Sequence, residues 1–172
     1  MIPLVKVKWG EFYLNEIFDI TPTKNGIDKI KLAGHGGDFP YITRTELNNG
    51  VNSFVNSQDD YIINSGNCIT VGLDTQTAFY QDADFYTGQN IQVLRNKNLN
   101  EYNAKFIIPM LKNTLSIFNW GGNGATLTRL KRSRIILPVD KNNNPDYKFM
   151  EEYVKNIEAE LLTETISQLK IL

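Results

Sequence analysis

The chain has 172 residues, a formal net charge of −1 at pH 7, and 41% hydrophobic and 11% aromatic residues. That length suits one domain with an appendage, and that hydrophobic content excludes an intrinsically disordered chain. No run approaches the roughly 20 apolar residues of a membrane span and no secretory segment is evident at the start, so we expect a cytoplasmic protein.

The sequence is poor in metal ligands. The single cysteine, Cys68, cannot form an internal disulfide, and together with the single histidine, His35, it leaves too few soft ligands for a zinc site. Cys68 lies in an apolar run, which favours a small buried hydrophobic residue. We therefore expect no structural metal, and no motif indicates a cofactor.

The charged residues are distributed unevenly along the chain. From Asp146 onward there are six acidic and three basic residues, whereas residues 1–145 carry 15 basic and 13 acidic ones. The net charge argues against a protein whose whole surface is basic for binding nucleic acid. The uneven distribution of charge still allows a basic surface on residues 1–145. A mildly basic body and an acidic tail indicate two segments with different roles.

The first predicted element is WGEFYLNEIFDI, residues 9–20. Apolar and polar positions alternate along it, and it stops at Thr21-Pro22 because proline ends a regular element. We predict a short helix or strand that packs its aromatic residues on the core.

The middle of the chain is predicted to be mostly β-structure. The turn signals GHGG (34–37) and NNG (48–50) bracket FPYITRTEL, whose β-branched and aromatic content suits a strand. Residues 51–55 and 61–64 continue this pattern, and CITVG follows a turn. TAFYQDADFYTGQNIQVLR then predicts two more strands on either side of residues 82–84.

Two helices are predicted in the last third. Residues 103–118 place six apolar side chains at helical spacing, so we predict a helix that is kinked at Pro109 or begins near it. A glycine-rich turn, TLTRLKRSRIILPV and the polar break DKNNNPD follow. Asp146 is then predicted to cap a terminal helix.

Specific catalytic motifs are missing. GGNGATLTRLK lacks the Lys-Ser or Lys-Thr of a phosphate-binding loop, and His35 stands between glycines with no nucleophile motif. The carboxylate pairs Asp82/Asp84 and Asp59/Asp60 are more typical of turns than of acid–base or metal chemistry. We therefore expect that the chain is not an enzyme.

A family resemblance appears once these elements are taken in order. It rests on Trp9, Leu14, Ile17, Phe18 and Ile20, on GGDFPYITRTELNNGV with Gly37, Pro40, Tyr41 and Ile42, on GNCITVG, on FYTGQNIQVL, and on LTRLKRSRIILPV before the long helix. This order resembles the DNA specificity subunits of type I restriction-modification systems and the similar recognition subunits of some type II enzymes. The likeness spans nearly the whole chain.

The resemblance implies an α+β fold. A mixed or antiparallel, β-rich target recognition domain with a few packed helices (1–145) would contact one part of a bipartite site on double-stranded DNA. A long C-terminal spacer helix (146–172) would follow. Methylation, and restriction where it accompanies methylation, would belong to partner subunits. The family usually has two domains and two spacers, and this sequence has one of each.

The terminal helix carries an apolar stripe that reaches the last residue. At 1.5 Å per residue the helix would be about 40 Å long, which is too long to bury against one compact domain. We predict that it pairs with the spacer of a second copy or with partner subunits, and that two copies form a homodimer that recognises a symmetric, interrupted site. The alternative is a helix folded back on its own domain. The stripe consists of Met150, Val154, Ile157, Leu161, Thr165, Leu169 and Leu172, broadened by Leu162 and Ile166.

Two sets of residues are candidates for DNA contact. Phosphate contacts are predicted for the basic cluster Arg129, Lys131, Arg132 and Arg134. If this segment is a strand, Lys131 points to the opposite face from Arg132 and Arg134, so only part of the cluster can contact one DNA surface. The alternative is a solvated edge strand that its charges protect from pairing. Base recognition needs paired donors and acceptors on loops. The loop candidates are Thr43, Arg44, Thr45, Asn48, Asn49, Asp74, Gln76, Thr77, Thr87, Gln89, Asn119 and Asn123.

Other functions stay open at this point. A carbohydrate- or peptide-binding β-module would also use loops rich in asparagine and aromatic residues, but it would have no affinity for DNA. A small enzyme of another type would need an acid, base or nucleophile set. A stand-alone DNA-binding regulator would share the dimer but need no methyltransferase.

Overall fold

The computed structural model describes residues 3–34, 36–118 and 126–169, and it has the α+β fold that the sequence predicts. The strands are β1 (Trp9–Tyr13), β2 (Asp19–Pro22), β3 (Phe39–Ile42), β4 (Val51–Val55), β5 (Cys68–Gly72), β6 (Thr77–Gln81), β7 (Tyr86–Thr87), β8 (Ile91–Arg95) and β9 (Arg134–Pro138). The helices are α1 (Leu14–Ile17), α2 (Glu101–Leu115), α3 (Leu127–Arg132) and α4 (Tyr147–Leu169).

The strands form three small sheets. The central sheet has the order β2-β8-β5-β6 and is antiparallel throughout, β1 pairs antiparallel with β9, and β3 lies between antiparallel β4 and parallel β7. Strand β5 is buried along its whole length, which explains its unbroken run CITVG. Cys68 is buried, so this cysteine is a core residue as expected, and its burial raises the pKa of the thiol to about 11.

The first predicted element divides into three. Residues 9–20 form β1, the single turn α1 and the start of β2, and Leu14 and Ile17 of α1 are buried in the main core. Glu16 accepts a hydrogen bond from the Tyr13 backbone N–H at 2.9 Å, which holds the chain as it leaves the strand. The aromatic residues Trp9, Phe12 and Phe18 pack on the core as predicted, but Tyr13 is exposed, so the prediction is wrong for that residue.

Helix α2 starts earlier than the sequence suggests. Asn100 caps it, because its side chain accepts hydrogen bonds from the Tyr102 and Asn103 backbone N–H groups, both at 3.0 Å. The helix runs through Pro109, which lies on its exposed side, so the prediction of a start near Pro109 is wrong. Its buried face packs Ala104, Ile107, Leu111 and Leu115 against the central sheet.

Two strand predictions are wrong in part. The strand predicted in FPYITRTEL ends at Ile42, where the chain turns. Residues 61–64 form no strand: they make one bridge, in which Asn64 and Phe85 exchange two backbone hydrogen bonds of 2.9 Å. Ile62 is exposed, whereas Tyr61 and Ile63 on either side of it are half-buried and pack on a small core cluster, so the segment alternates like a strand without pairing as one.

Helix α4 begins where its cap was predicted. Asp146 Oδ1 accepts a hydrogen bond from the Phe149 backbone N–H at 2.9 Å, and the helix continues to Leu169. Its first turns pack on α2, and Met150 belongs to the main core. No helix in the described ranges is both long and apolar enough to span a membrane.

Candidate nucleic-acid interface

Several loops meet at one end of the central sheet. Gly72, the last residue of β5, pairs with both Thr77 of β6 and Ile91 of β8, so the β5–β6 turn and the β7–β8 loop lie at the same end. The Gly88 backbone N–H donates to the Ile42 carbonyl at 2.8 Å, which brings the end of β3 alongside. We call residues 43–50, 73–76 and 88–90 the loop cluster.

A polar contact links all three loops. Arg44 Nη1 donates to Asp74 Oδ2, and Asn90 Nδ2 donates to the same oxygen at 3.2 Å. A side chain on Gly72 would place its Cβ 2.6 Å from Thr77 Oγ1 and 3.4 Å from Arg44 Cγ, so only glycine allows this close approach. The predicted residues Arg44 and Asp74 therefore lie together.

The turn at 47–50 is held in a left-handed conformation. Asn48 and Asn49 have φ values of 50° and 60°, and Gly50 has a φ of 81°. Asparagine tolerates this region better than other residues with a Cβ. Asn49 Nδ2 donates to the Tyr80 carbonyl at 3.4 Å, and Gln81 Nε2 donates to the Asn49 carbonyl at 2.9 Å. The two asparagines are thereby presented at the surface beside β6.

Other predicted loop residues bond within the protein. Gln76 Nε2 donates to the Phe118 carbonyl, and Gln89 Nε2 donates to the Gly26 carbonyl at 2.9 Å. Thr45 Oγ1 accepts from the Leu47 backbone N–H at 3.2 Å. These hydrogen bonds stabilise the loop conformations, and only the remaining donors and acceptors of these side chains can bind a ligand.

Two predicted contact residues are buried, which is a correction. Thr77 is 5% exposed and its hydroxyl lies 3.0 Å from that of Thr75, while Thr87 is 0% exposed. Their positions on β6 and β7 place these side chains inside the domain, so neither can touch DNA in this conformation. Thr43, by contrast, is partly exposed, and its N–H donates to the Gly50 carbonyl at 2.9 Å.

The basic cluster is helical for three of its four members. Thr126 caps α3 by accepting the Arg129 backbone N–H at 3.2 Å, so the strand geometry considered for Lys131 and Arg132 does not apply. Arg129 and Arg132 lie three residues apart on one face, and Lys131 lies on another. Only part of the cluster can therefore face one DNA surface.

The two faces of α3 line different clefts. Arg129 and Arg132 line a groove of about 840 Å³ between α2 and β9, together with Arg134, Ile117 and Ile136. Lys131 lines a cleft of about 670 Å³ with Arg95 and Lys97. The first groove also includes Phe118, whose carbonyl accepts from Gln76, so Arg129 and Arg132 adjoin the loop cluster.

Some predicted residues lie outside the described ranges, and some described residues of the site were not predicted. Asn119 and Asn123 lie outside the described residues. Asn90 and Leu47 are in the loop cluster although sequence reasoning did not select them, and Leu47 is 71% exposed. A positive φ of 62° at Asn90 follows the pattern of the selected asparagines, so residue type and turn position could have identified it.

The stripe on α4 is divided between two environments. Met150 is 0% exposed and lies in the domain core, so its assignment to a partner surface is wrong. Val154 also packs on that core, and Ile157 is half-buried. Leu161 and Leu169 are 57% and 65% exposed, and Leu172 lies outside the described residues. We call residues 147–158 the docked half of α4 and residues 159–169 its distal half.

Comparison with known proteins gives a consistent picture. A family model described as "Type I restriction modification DNA specificity domain" matches residues 6–170. A protein from Heyndrickxia coagulans, described as "Type II restriction enzyme BgcI specificity subunit S.BcgI", is 27% identical over 167 residues, covering 94% of this chain and 47% of that protein.

Solved structures share the fold. The S subunit of a type I restriction-modification system from M. genitalium superposes with a TM-score of 0.63 at 17% identity, over 99% of this chain and 44% of that one. The HsdS subunit from Thermoanaerobacter tengcongensis gives a TM-score of 0.60 at 14% identity, over 93% and 40%. This chain thus spans less than half the length of these relatives.

Proposed function

The chain belongs to the type I restriction modification DNA specificity domain family, and from this we propose that it binds double-stranded DNA at a specific sequence and directs a partner methyltransferase to it. The observation that carries the proposal is the loop cluster, in which three loops distant in sequence meet at one end of the central sheet and the first of them presents Arg44, Asn48 and Asn49. Arginine and asparagine are the side chains that pair bidentately with guanine and adenine.

Phosphate contacts would come from the groove beside this cluster. Arg129 and Arg132 share one face of α3, and phosphate contacts give affinity that does not depend on base sequence. Lys131 would contact a phosphate only if DNA also reached the cleft with Arg95 and Lys97. Arg129 and Arg132 are therefore the first basic residues to test.

The division of labour along the chain is part of the proposal. Residues 1–145 would form the recognition domain and residues 146–172 the spacer helix, although the docked half of that helix packs on the domain. This chain spans less than half the length of its relatives, so its recognition domain would serve one half of a bipartite site. We propose that a second copy of the chain serves the other half.

The exposed distal half of α4 supports that second copy. Leu161, Leu162, Ile166 and Leu169 are all more than half exposed, and exposed apolar surface of this kind marks an association site. A homodimer through α4 would place two recognition domains on inverted half-sites. The methyltransferase, and a restriction subunit where there is one, would bind this assembly.

Catalysis would belong to the partner. A methyltransferase must extrude its target base from the duplex, and this chain would hold the DNA beside it. The chain would supply neither a catalytic group nor a cofactor, and it would act in the cytoplasm, where the DNA is.

Binding of duplex DNA at several salt concentrations tests the proposal. The full chain, with a duplex library carrying a randomised central segment, should enrich a defined sequence. The double variant Arg129→Ala/Arg132→Ala should bind all duplexes more weakly. Its salt slope, the steepness with which the logarithm of the binding constant falls with the logarithm of salt concentration, should decrease by about 2, because each lost phosphate contact removes about 0.9.

The matched control removes two positive charges elsewhere. Lys141→Ala/Lys148→Ala changes residues beyond the other end of β9 from α3, where both side chains are exposed. Its salt slope should equal that of the unmodified chain. Enrichment of no sequence by the full chain, alone or with its methyltransferase, would refute the proposed function.

A further inference from the structure

Arg44 is the one arginine of the loop cluster, and it is already held in place. It follows β3, whereas its partner Asp74 lies in the β5–β6 turn, 30 residues away. The side chains are 42% and 34% exposed, so the pair lies at the surface and not in the core. Its aliphatic stem passes over Gly72.

We propose that Arg44 recognises one guanine of the DNA site, and that Asp74 and Asn90 are positioning residues that hold its guanidinium. This inference rests on the proposed function and assigns a base to one residue of the loop cluster.

The donors of Arg44 are suited to that task. Its guanidinium has five N–H donors in a rigid plane, and among the described residues it donates to Asp74 alone, through Nη1. The Nη2 and Nε donors are left to approach guanine O6 and N7 in the major groove, which is the commonest specific contact to that base. The other three bases do not present this pair of acceptors.

Asp74 itself is unsuited to face the DNA backbone. Its carboxylate is negatively charged, and phosphates repel it. Oδ2 accepts hydrogen bonds from Arg44 and from Asn90, so that oxygen is occupied by donors from the protein. A carboxylate in this position fixes the plane of the arginine before DNA arrives, and less conformational entropy is then lost on binding.

Asn90 connects the third loop to the pair. Its backbone is left-handed, with a φ of 62°, and its side chain donates a 3.2 Å hydrogen bond to the same Oδ2 that accepts from Arg44. The alternative is that the contact between Arg44, Asp74 and Asn90 only stabilises the fold. Exposed ion pairs contribute little to folding stability, which disfavours this explanation.

The test compares base preferences of full-length variants on the randomised duplex library. Arg44→Ala should lower the preference for guanine at one position of the enriched site by about 10- to 100-fold and leave the other positions unchanged. Arg44→Lys keeps the charge but loses the planar fork. It should lose most of the same preference while its salt slope stays that of the unmodified chain.

Asp74→Asn tests the positioning role. It should lower the guanine preference at the same position by about tenfold, because the arginine is no longer held, and Asp74→Glu should restore part of it. Affinity for a duplex of unrelated sequence should not fall, since a negative charge near DNA has been removed.

Glu152→Gln is the matched control. Glu152 pairs with Lys148 at 3.7 Å in an exposed contact on the docked half of α4, outside the loop cluster and the groove beside it. Its base preferences should equal those of the unmodified chain. If the unmodified chain enriches a site but both Arg44 variants keep its guanines, the inference fails while the proposed function stands. If Asp74→Asn lowers the base preference equally at all positions and also lowers the melting temperature, Asp74 stabilises the loops and does not position Arg44.

Discussion

The two halves of helix α4 have similar apolar patterns but different surroundings. In the docked half, Phe149 and Tyr153 pack edge-on against Phe106 of α2, with ring centroids 6.3 and 5.6 Å apart. Lys105 bridges to Glu158 at 2.8 Å, and Asn100 donates to Glu151 at the same distance. The docked half is therefore fixed to α2 by rings, charges and hydrogen bonds.

The distal half has none of these contacts with the body within the described residues. Its hydroxyl groups bond back to the helix, as in Thr163 Oγ1, which donates to the Ala159 carbonyl at 2.7 Å. Leu162 and Leu169 are 63% and 65% exposed. Apolar periodicity in the sequence shows that one face of a helix needs a packing partner. Whether that partner is the same chain depends on how far along the helix the domain extends.

The largest expected effect is on association through the distal half. The double variant Leu161→Glu/Leu169→Glu should weaken self-association by at least 100-fold, because each buried leucine contributes roughly 1.5–3 kcal/mol. Sedimentation at micromolar concentration should show a dimer for the unmodified chain and a monomer for the variant.

The control places the same charges on the polar side of the same half. Thr163→Glu/Ser167→Glu should leave the dimer intact, since these residues lie with Glu160 and Glu164 on the opposite, polar face. An identical mass for all three chains would show that the distal half does not mediate self-association.

The next effect is on folding through the docked half. Met150→Ala should lower the free energy of unfolding by about 2–5 kcal/mol, because it opens a cavity in a fully buried position. Leu169→Ala removes a comparable side chain from the distal half and should cost less than about 0.5 kcal/mol.

Urea denaturation measures both variants, at a protein concentration low enough to keep every chain monomeric. If Leu169→Ala costs as much as Met150→Ala under these conditions, the distal half is packed in the single chain and the contrast between the halves is lost.

Much of the fold was predictable from local signals. The terminal helix, its Asp146 cap and the buried strand β5 follow from periodicity and residue type. Helix α3 was not predictable in this way. Its sequence LTRLKR is too short to show a helical repeat of apolar residues, and it precedes the β-branched run of β9. Thr126 caps this helix locally, and Leu130 packs it on the main core.

The candidate site was predictable by residue type but not by burial. Arginine and asparagine in turns were selected, and Arg44, Asn48 and Asn49 lie at the surface. Thr77 and Thr87 flank the same turns but belong to strands that face inward. The contact between Arg44, Asp74 and Asn90 joins three loops, and no local pattern records such a contact.

The smallest expected effect concerns the first residue of the docked half and its dependence on pH. Burial raises the pKa of the Tyr147 phenol to about 12 from its ordinary value of 10.0, and its oxygen accepts a hydrogen bond from Asn96 Nδ2 at 2.9 Å. The folded state therefore favours the neutral phenol more than the unfolded state does. This contribution to stability is fully present below pH 10 and is lost as the pH rises toward 12.

Tyr147→Phe removes that ionisation, so its free energy of unfolding should fall less steeply above pH 10 than that of the unmodified chain. Both chains retain Cys68, whose raised pKa of about 11 adds the same loss to each, and the difference between the two curves isolates Tyr147. The absorbance of phenolate should show one late-titrating tyrosine fewer in the variant. Parallel stability curves from pH 9 to 12 would mean that the phenol is solvated, and that the docked half is less firmly packed at its start than its aromatic contacts indicate.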